Sequence, residues 1–187
     1  LYIFWGDERY VGVEHPDSNA GMAKQAWLDQ VAIPPEHIFI TPTGESDPAA
    51  SAQQYEANLK AVFTQLQALS AGGLPAFDLV LLGTGDDGHT ASLFPHTPAL
   101  AVNDRWVTVG VKQNDPRITF TVPLINHSRM VIFLAAGANK QNALSHIFAE
   151  AGDDFAYPAR LIRPQGELWW LLDQQAAAFL RATANEA

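Results

Sequence analysis

The sequence predicts an α/β sandwich built on a mostly parallel sheet. Three observations carry this. Short runs of apolar and β-branched residues alternate with stretches of helical spacing along all 187 residues. Two of those runs, residues 79–82 and 130–135, are continuously apolar, the pattern of parallel strands covered on both faces. Glycines follow each run at once, Gly83, Gly85 and Gly88 after the first and Gly137 after the second. In open α/β sheets, such turns at the carboxyl ends of strands are where ligands bind.

The elements follow in order. Residues 1–5 read as a strand already in progress, so a lead-in segment of the sheet is expected to be missing. Residues 6–19 form a loop. It carries Asp7, Glu8 and Arg9 at the strand's carboxyl end, either as a local ion pair or as site residues. Ser18 or Asn19 caps a helix running to about Val31, with Ala20, Ala23, Trp27 and Val31 on one face. Pro34 and Pro35 end that region. Residues 37–40 are a short strand and 41–47 a polar loop. Pro48 opens a long helix capped by Asp47, in which Tyr55, Leu59, Val62, Phe63, Leu66 and Leu69 recur at core-packing spacing. Residues 71–75 lead back to the central strand, and its glycine turn runs into a short helix.

After Pro95 a loop extends to Arg105. Residues 106–111 and 117–122 are strands, and 123–127 a short turn or helix. The apolar strand 130–135 ends in A-G-A-N-K at 136–140, opening a helix that carries Leu144, Ile147 and Phe148. Residues 152–157 are loop, and 158–162 helical or extended. Residues 166–173 form the last strand, with Trp169 and Trp170 facing opposite ways. A short alanine-rich helix closes the chain. There is no internal repeat or linker, so residues 1–187 are read as one domain.

Composition narrows the function. The net charge is -9, which argues against nucleic-acid binding through a broad basic face. No apolar run approaches the ~20 residues of a membrane helix. There is no cysteine, which excludes thiolate chemistry and suits a cytoplasmic protein. A monomer is expected. Of eleven cations, Arg9, Lys112, Arg117, Lys140, Arg160 and Arg163 fall near element ends, where they could build a local positive pocket.

The glycine turn presents Asp86, Asp87 and His89 at a ligand edge. His89 is the candidate general base, since imidazole titrates near neutral pH. Asp87, two residues away, is placed to orient it. A neighbouring carboxylate raises a histidine pKa and burial lowers it, and the two oppose here. The alternative for His89 is a structural cap. Asp86 reads as a solvated turn residue. Gly83, Gly85 and Gly88 let a ligand approach the backbone, whose N–H groups could serve an oxyanion. Arg117 suits bidentate phosphate binding. Lys140, at a helix start after a glycine turn, suits an anion, unless it is simply solvated. His96 with Asp86 and Asp87 lacks a dense metal-ligand pattern, so no metal is expected. His15, His37, His127 and His146 read as ordinary surface or turn residues. The pair Gly83-x-Gly85 lacks the remaining features of a dinucleotide fingerprint.

Residues 83–95, G-T-G-D-D-G-H-T-A-S-L-F-P, match without a gap the signature G-x-G-x-D-G-H-T-A-S-L-F-P of the 6-phosphogluconolactonases. Residues 4–11, F-W-G-D-E-R-Y-V, with Ser18 and Asn19, resemble that family's W-x-D-E-R-x-V…S-N segment, with Gly12 where the family often has proline. The resemblance covers nearly the whole chain. It implies the Rossmann-like three-layer fold shared with glucosamine-6-phosphate deaminases, and a βα unit with an S-G-G-S-T-P-like phosphate loop that this sequence does not contain. It implies hydrolysis of 6-phospho-D-glucono-1,5-lactone in the pentose phosphate pathway without a cofactor. It also implies roles in substrate binding for Arg9 and for Arg117 of the P-x-R-I-T-like segment. A sugar-phosphate isomerase/deaminase is the nearest rival. Those enzymes continue D-G-H with I-A-F-N-E-P, and residues 90–95 here hold no acid. A non-catalytic sugar-phosphate-binding protein is the rival from another class.

Overall fold

Helix α2 (Pro48–Gln65) begins where the sequence predicts, because Pro48 fixes the first helical φ and the Asp47 carboxylate accepts the Ala49 N–H at 3.0 Å. The structure, a computed structural model, describes residues 1–45, 47–70 and 73–180. Tyr55, Leu59 and Phe63 recur every four residues on the buried face of α2. Phe63 stacks on Phe4 and meets Phe77 edge-on. The Tyr55 hydroxyl accepts the Trp5 N–H at 2.9 Å and donates to the Trp5 carbonyl at 3.1 Å, so α2 holds the first strand by its backbone.

Among the described residues the strands form three small sheets. β1 (Ile3–Phe4) pairs in parallel with β3 (Ile38–Phe39). β2 (Asp7–Arg9), β6 (Asp115–Phe120) and β5 (Val107–Lys112) form an antiparallel sheet in that order. β4 (Val80–Gly83), β7 (Met130–Ala135) and β8 (Glu167–Leu172) form a parallel sheet. Further helices are α1 (Asn19–Ala26), α3 (Val122–Asn126) and α4 (Gln141–Ile147). The result is the mixed α/β architecture with parallel sheets that the alternation predicts. Gly83 pairs with Leu134, so the turns after β4 and β7 leave the sheet at the same end.

Several expectations are corrected. Residues 7–9 of the expected 6–19 loop pair with β6 as a strand, and Leu66 and Leu69 lie past the end of α2 and are exposed. Strands β4 and β7 are covered on one face, not two: Val80, Leu82, Val131 and Phe133 are buried, while Leu81 is 59% and Leu134 50% exposed. Trp169 and Leu171 of β8 share that open face, in register with Leu81 and Leu134. Helix α1 stops at Ala26 because Trp27 leaves helical space at φ -158°. A single 3-10 turn over Leu28–Gln30 follows, and Trp27 and Val31 are exposed. Finally, no helix follows the central glycine turn, because Ala91 takes φ 47°. The segment closes as a tight turn with a Thr90–Leu93 bridge. Trp169 and Trp170 do face opposite ways, and Trp170 stacks on Phe133 with ring centroids 3.9 Å apart. Ala71 and Gly72 of the expected 71–75 connection, and residues 181–187 of the closing alanine-rich segment, lie outside the described residues.

Candidate active site

The turn after β4 folds back on itself. The carbonyl of His89 accepts the Gly85 N–H at 2.9 Å and the Thr84 hydroxyl at 3.1 Å. The Thr90 hydroxyl donates to the Gly83 carbonyl at 2.9 Å. These bonds project the imidazole of His89 toward Asp87. Nδ1 of His89 lies 2.5 Å from Oδ1 of Asp87, which also accepts the His89 backbone N–H at 3.1 Å. Burial pushes the Asp87 carboxyl up, but the hydrogen bonds and charge of His89 outweigh it and hold the carboxyl below its ordinary value. With Nδ1 bound to a carboxylate, Nε2 is the nitrogen left to exchange a proton. Gly88 takes φ 79° with Tyr157 packed against its α-carbon. Asp86 is exposed.

Phe94 gathers the charged groups. Its ring lies 4.7 Å from the His89 ring, 5.5 Å from the Arg117 guanidinium and 5.7 Å from Lys112 Nζ. Arg117 stands directly opposite Arg9 in the β2–β6 register. A cleft of about 320 Å³ opens beside both arginines, lined also by Tyr10, Asp17 and Pro116. Nε of Arg117 is buried without a hydrogen-bond partner, so this guanidinium retains donor capacity.

The side chains of the triplet 7–9 form no ion pair with one another, although the Arg9 backbone N–H donates to the Glu8 carboxylate at 2.8 Å. Glu8 is fully buried, and its carboxylate accepts the N–H groups of Asn19 and Ala20 at 2.7 and 2.8 Å and the Ser18 hydroxyl at 3.1 Å. It therefore caps α1 from another strand, together with Ser18, whose hydroxyl accepts the Gly21 N–H. Arg9 donates to the Asn19 side chain and to the Asp17 carbonyl. Asp7 accepts the Ser92 hydroxyl at 2.6 Å. Burial pushes its carboxyl up, and the Ser92 bond with the charges of Arg9 and Arg117 partly offsets this.

Lys140 is half-buried in the turn after β7, at the same sheet end as the glycine turn. The Gly137 N–H beside it is already bound by the Asp173 carboxylate, at 3.1 and 3.2 Å. Arg160 and Arg163 stand outside the cleft lined by Arg9 and Arg117. Arg160 donates to the carbonyls of His146, Ile147 and Ala149 and pairs with Asp154, which also holds Arg163. The reason is local, since the carbonyls at the end of α4 lack intrahelical partners. His15, His37, His127 and His146 make local contacts with Asp17, Tyr2, Pro75 and Tyr157. The His96 N–H donates to the Phe155 carbonyl. Among the described residues, no three His, Asp or Glu side chains cluster to hold a metal.

A family model for glucosamine-6-phosphate isomerases/6-phosphogluconolactonase matches residues 1–170. The chain belongs to that family. Among its relatives, the 6-phosphogluconolactonase of Synechocystis sp. is 62% identical over 97% of this chain and 74% of its own length. The corresponding Nostoc sp. protein is 57% identical over 96% and 73%. The solved structure of 6-phosphogluconolactonase from Trypanosoma cruzi superposes with a TM-score of 0.82 at 33% identity, over 96% of this chain and 73% of that one. Sequence reasoning gave Phe94 and Ser92 no contact of their own and read Asn19 only as a helix cap, missing the Phe94 platform and the Asn19 and Ser92 bonds to Asp7. All three lie inside the recognised segments, yet nothing in residue type marks an aromatic ring as a shared platform.

Proposed function

We propose that the chain hydrolyses 6-phospho-D-glucono-1,5-lactone to 6-phospho-D-gluconate, the lactonase step of the pentose phosphate pathway. The observation that carries this is the His89–Asp87 pair in a glycine turn, facing the same aromatic ring as Arg117. The names of the relatives give the substrate.

His89 acts as the base. Asp87 holds Nδ1–H, so Nε2 accepts a proton from water as the water oxygen bonds to the lactone carbonyl carbon. A backbone N–H of the glycine turn other than those of Gly85, Gly88 and His89, which are bonded within the turn, stabilises the resulting oxyanion. When the tetrahedral intermediate collapses, the bond to the ring oxygen breaks, and that oxygen takes the proton from Nε2. Water has then added across the ester, and His89 is neutral again. Arg9, Arg117 and Lys140 hold the phosphate, so that the far end of the sugar fixes the carbonyl in reach of the base.

We also propose that the protein is a cytoplasmic monomer and that residues 1–187 belong to one domain, in which further polypeptide of the same protein covers the open face at Leu81, Leu134 and Trp169. The apolar character of that face supports this, as does the fact that relatives extend beyond the matched span. The decisive experiment is lactone hydrolysis above the spontaneous rate, beside His89→Gln. Acceleration by the wild type that the variant loses, with 6-phosphogluconate binding retained, is expected. Equal rates above the spontaneous one remove His89 as the base, and rates no faster than the spontaneous one overturn the lactonase reading in favour of a binding protein. Ammonia release from glucosamine 6-phosphate overturns it in favour of a deaminase.

A further inference from the structure

Ser92 is fully buried, three residues beyond His89, and the antiparallel sheet holds it at three points. Its hydroxyl donates to Asp7 at 2.6 Å and its N–H donates to the Thr119 hydroxyl at 3.2 Å. Its carbonyl fills the space that a Cβ on Gly110 would need. Asp7 and Thr119 are direct partners in the β2–β6 register, and Arg9 and Arg117 are the partners two residues along. Residues two apart on a strand share a face, so the pair that grips Ser92 and the pair of arginines stand side by side. The other end of the contact also leads to an arginine. Asn19 Nδ2 donates to Asp7 Oδ1 at 3.4 Å and to its carbonyl at 2.9 Å, while Asn19 Oδ1 accepts from Arg9.

We propose that Ser92, Asp7 and Asn19 form a positioning chain that sets the His89 turn against the Arg9 guanidinium, fixing the distance between the base and the anion grip. The proposal rests on the lactonase reading for what the two ends do, but not for the chain itself. Ser92 and Asp7 are positioning residues and touch no reacting atom. Ser92 sits inside the tight turn that follows His89, closed by the Leu93 N–H donating to the Thr90 carbonyl at 2.9 Å, so a shift at Ser92 is passed on to the adjoining His89.

Two substitutions separate this from plain packing. Ser92→Ala frees the His89 end and leaves both arginines on their ladder. It is expected to lower kcat by about tenfold with KM changed less than about threefold, and to move the His89 imidazole resonances. Asp7→Asn keeps an oxygen for the Ser92 hydroxyl but turns an NH2 group toward the donating Asn19 amide. It is expected to raise KM by about tenfold while the His89 resonances stay in place. If Ser92→Ala does not fold, Thr119→Val removes the second grip and is expected to move the same resonances. Unmoved His89 resonances in Ser92→Ala or Thr119→Val overturn the proposal. So does an equal loss of kcat and KM effects in Ser92→Ala and Asp7→Asn in proportion to lowered stability. The resonances need no turnover, so an inactive wild type overturns the lactonase reading alone and the positioning chain is still decided.

Discussion

Gly85 yields to His89 the space that its own Cβ would occupy: a methyl group there would overlap Nδ1 of His89 and Oδ1 of Asp87. The second glycine of the turn is thus a steric condition for the base pair, beyond the flexibility that glycine gives a turn. Gly85→Ala is expected to push the imidazole off Asp87. Misplacement of a reacting group by about 1 Å costs on the order of 100-fold in rate. Steady-state kcat, with circular dichroism to show the fold retained, checks this, and a loss under threefold would remove the steric role.

The lowered Asp87 carboxyl gives a pH signature. Its ordinary value is 3.8 and its folded value is lower, so the stability it contributes is present above pH 3.8 and is lost as pH falls through the folded value. Asp87→Asn is expected to be less stable than wild type at neutral pH, with the gap narrowing below pH 3.8. Urea midpoints measured from pH 7 down to pH 3 follow that gap, and a constant difference would contradict it.

Arg160 looks from the sequence like a pocket cation and is instead a helix cap. Its side chain is 7% exposed and engaged by three carbonyls around the end of α4 and by Asp154. Arg160→Met is expected to cost about 2 kcal/mol of stability, the scale of lost hydrogen bonds to a charged group, and to leave KM for the lactone within twofold (roughly the scatter of such comparisons). A large rise in KM at unchanged stability would return Arg160 to the phosphate pocket.

These cases show what a sequence displays and what it hides. The β4 and β7 strands and the cap of α2 were legible because apolar runs, glycines and an Asp-Pro pair act locally. The His89–Asp87 pair was legible for the same reason, since two residues on one turn meet without help from the rest of the chain. Glu8 was not, because it caps a helix eleven residues away that has no acid in its own first turn. The Asp7–Ser92 bond was not either, because 85 residues separate its ends. Three of the partners of Arg160 are backbone carbonyls, which no side-chain pattern announces.

The open face of the β4–β7–β8 sheet separates two kinds of leucine on neighbouring positions of one strand. Leu82 is 6% exposed and packs into the core with Phe133 and Val80, whereas Leu81 is 59% exposed. An apolar run offers no hint of this difference, since periodicity vanishes when every residue is apolar. Leu82→Ala is expected to destabilise the chain by about 3 kcal/mol through lost burial and the cavity it leaves. Leu81→Lys is expected to change stability by less than about 0.5 kcal/mol, as an exposed substitution does, and to reduce any self-association through the apolar face. Chemical denaturation and sedimentation of the two variants together check this. If Leu81→Lys cost as much as Leu82→Ala, the face would be covered within this chain, and the proposal that further polypeptide covers it would fall.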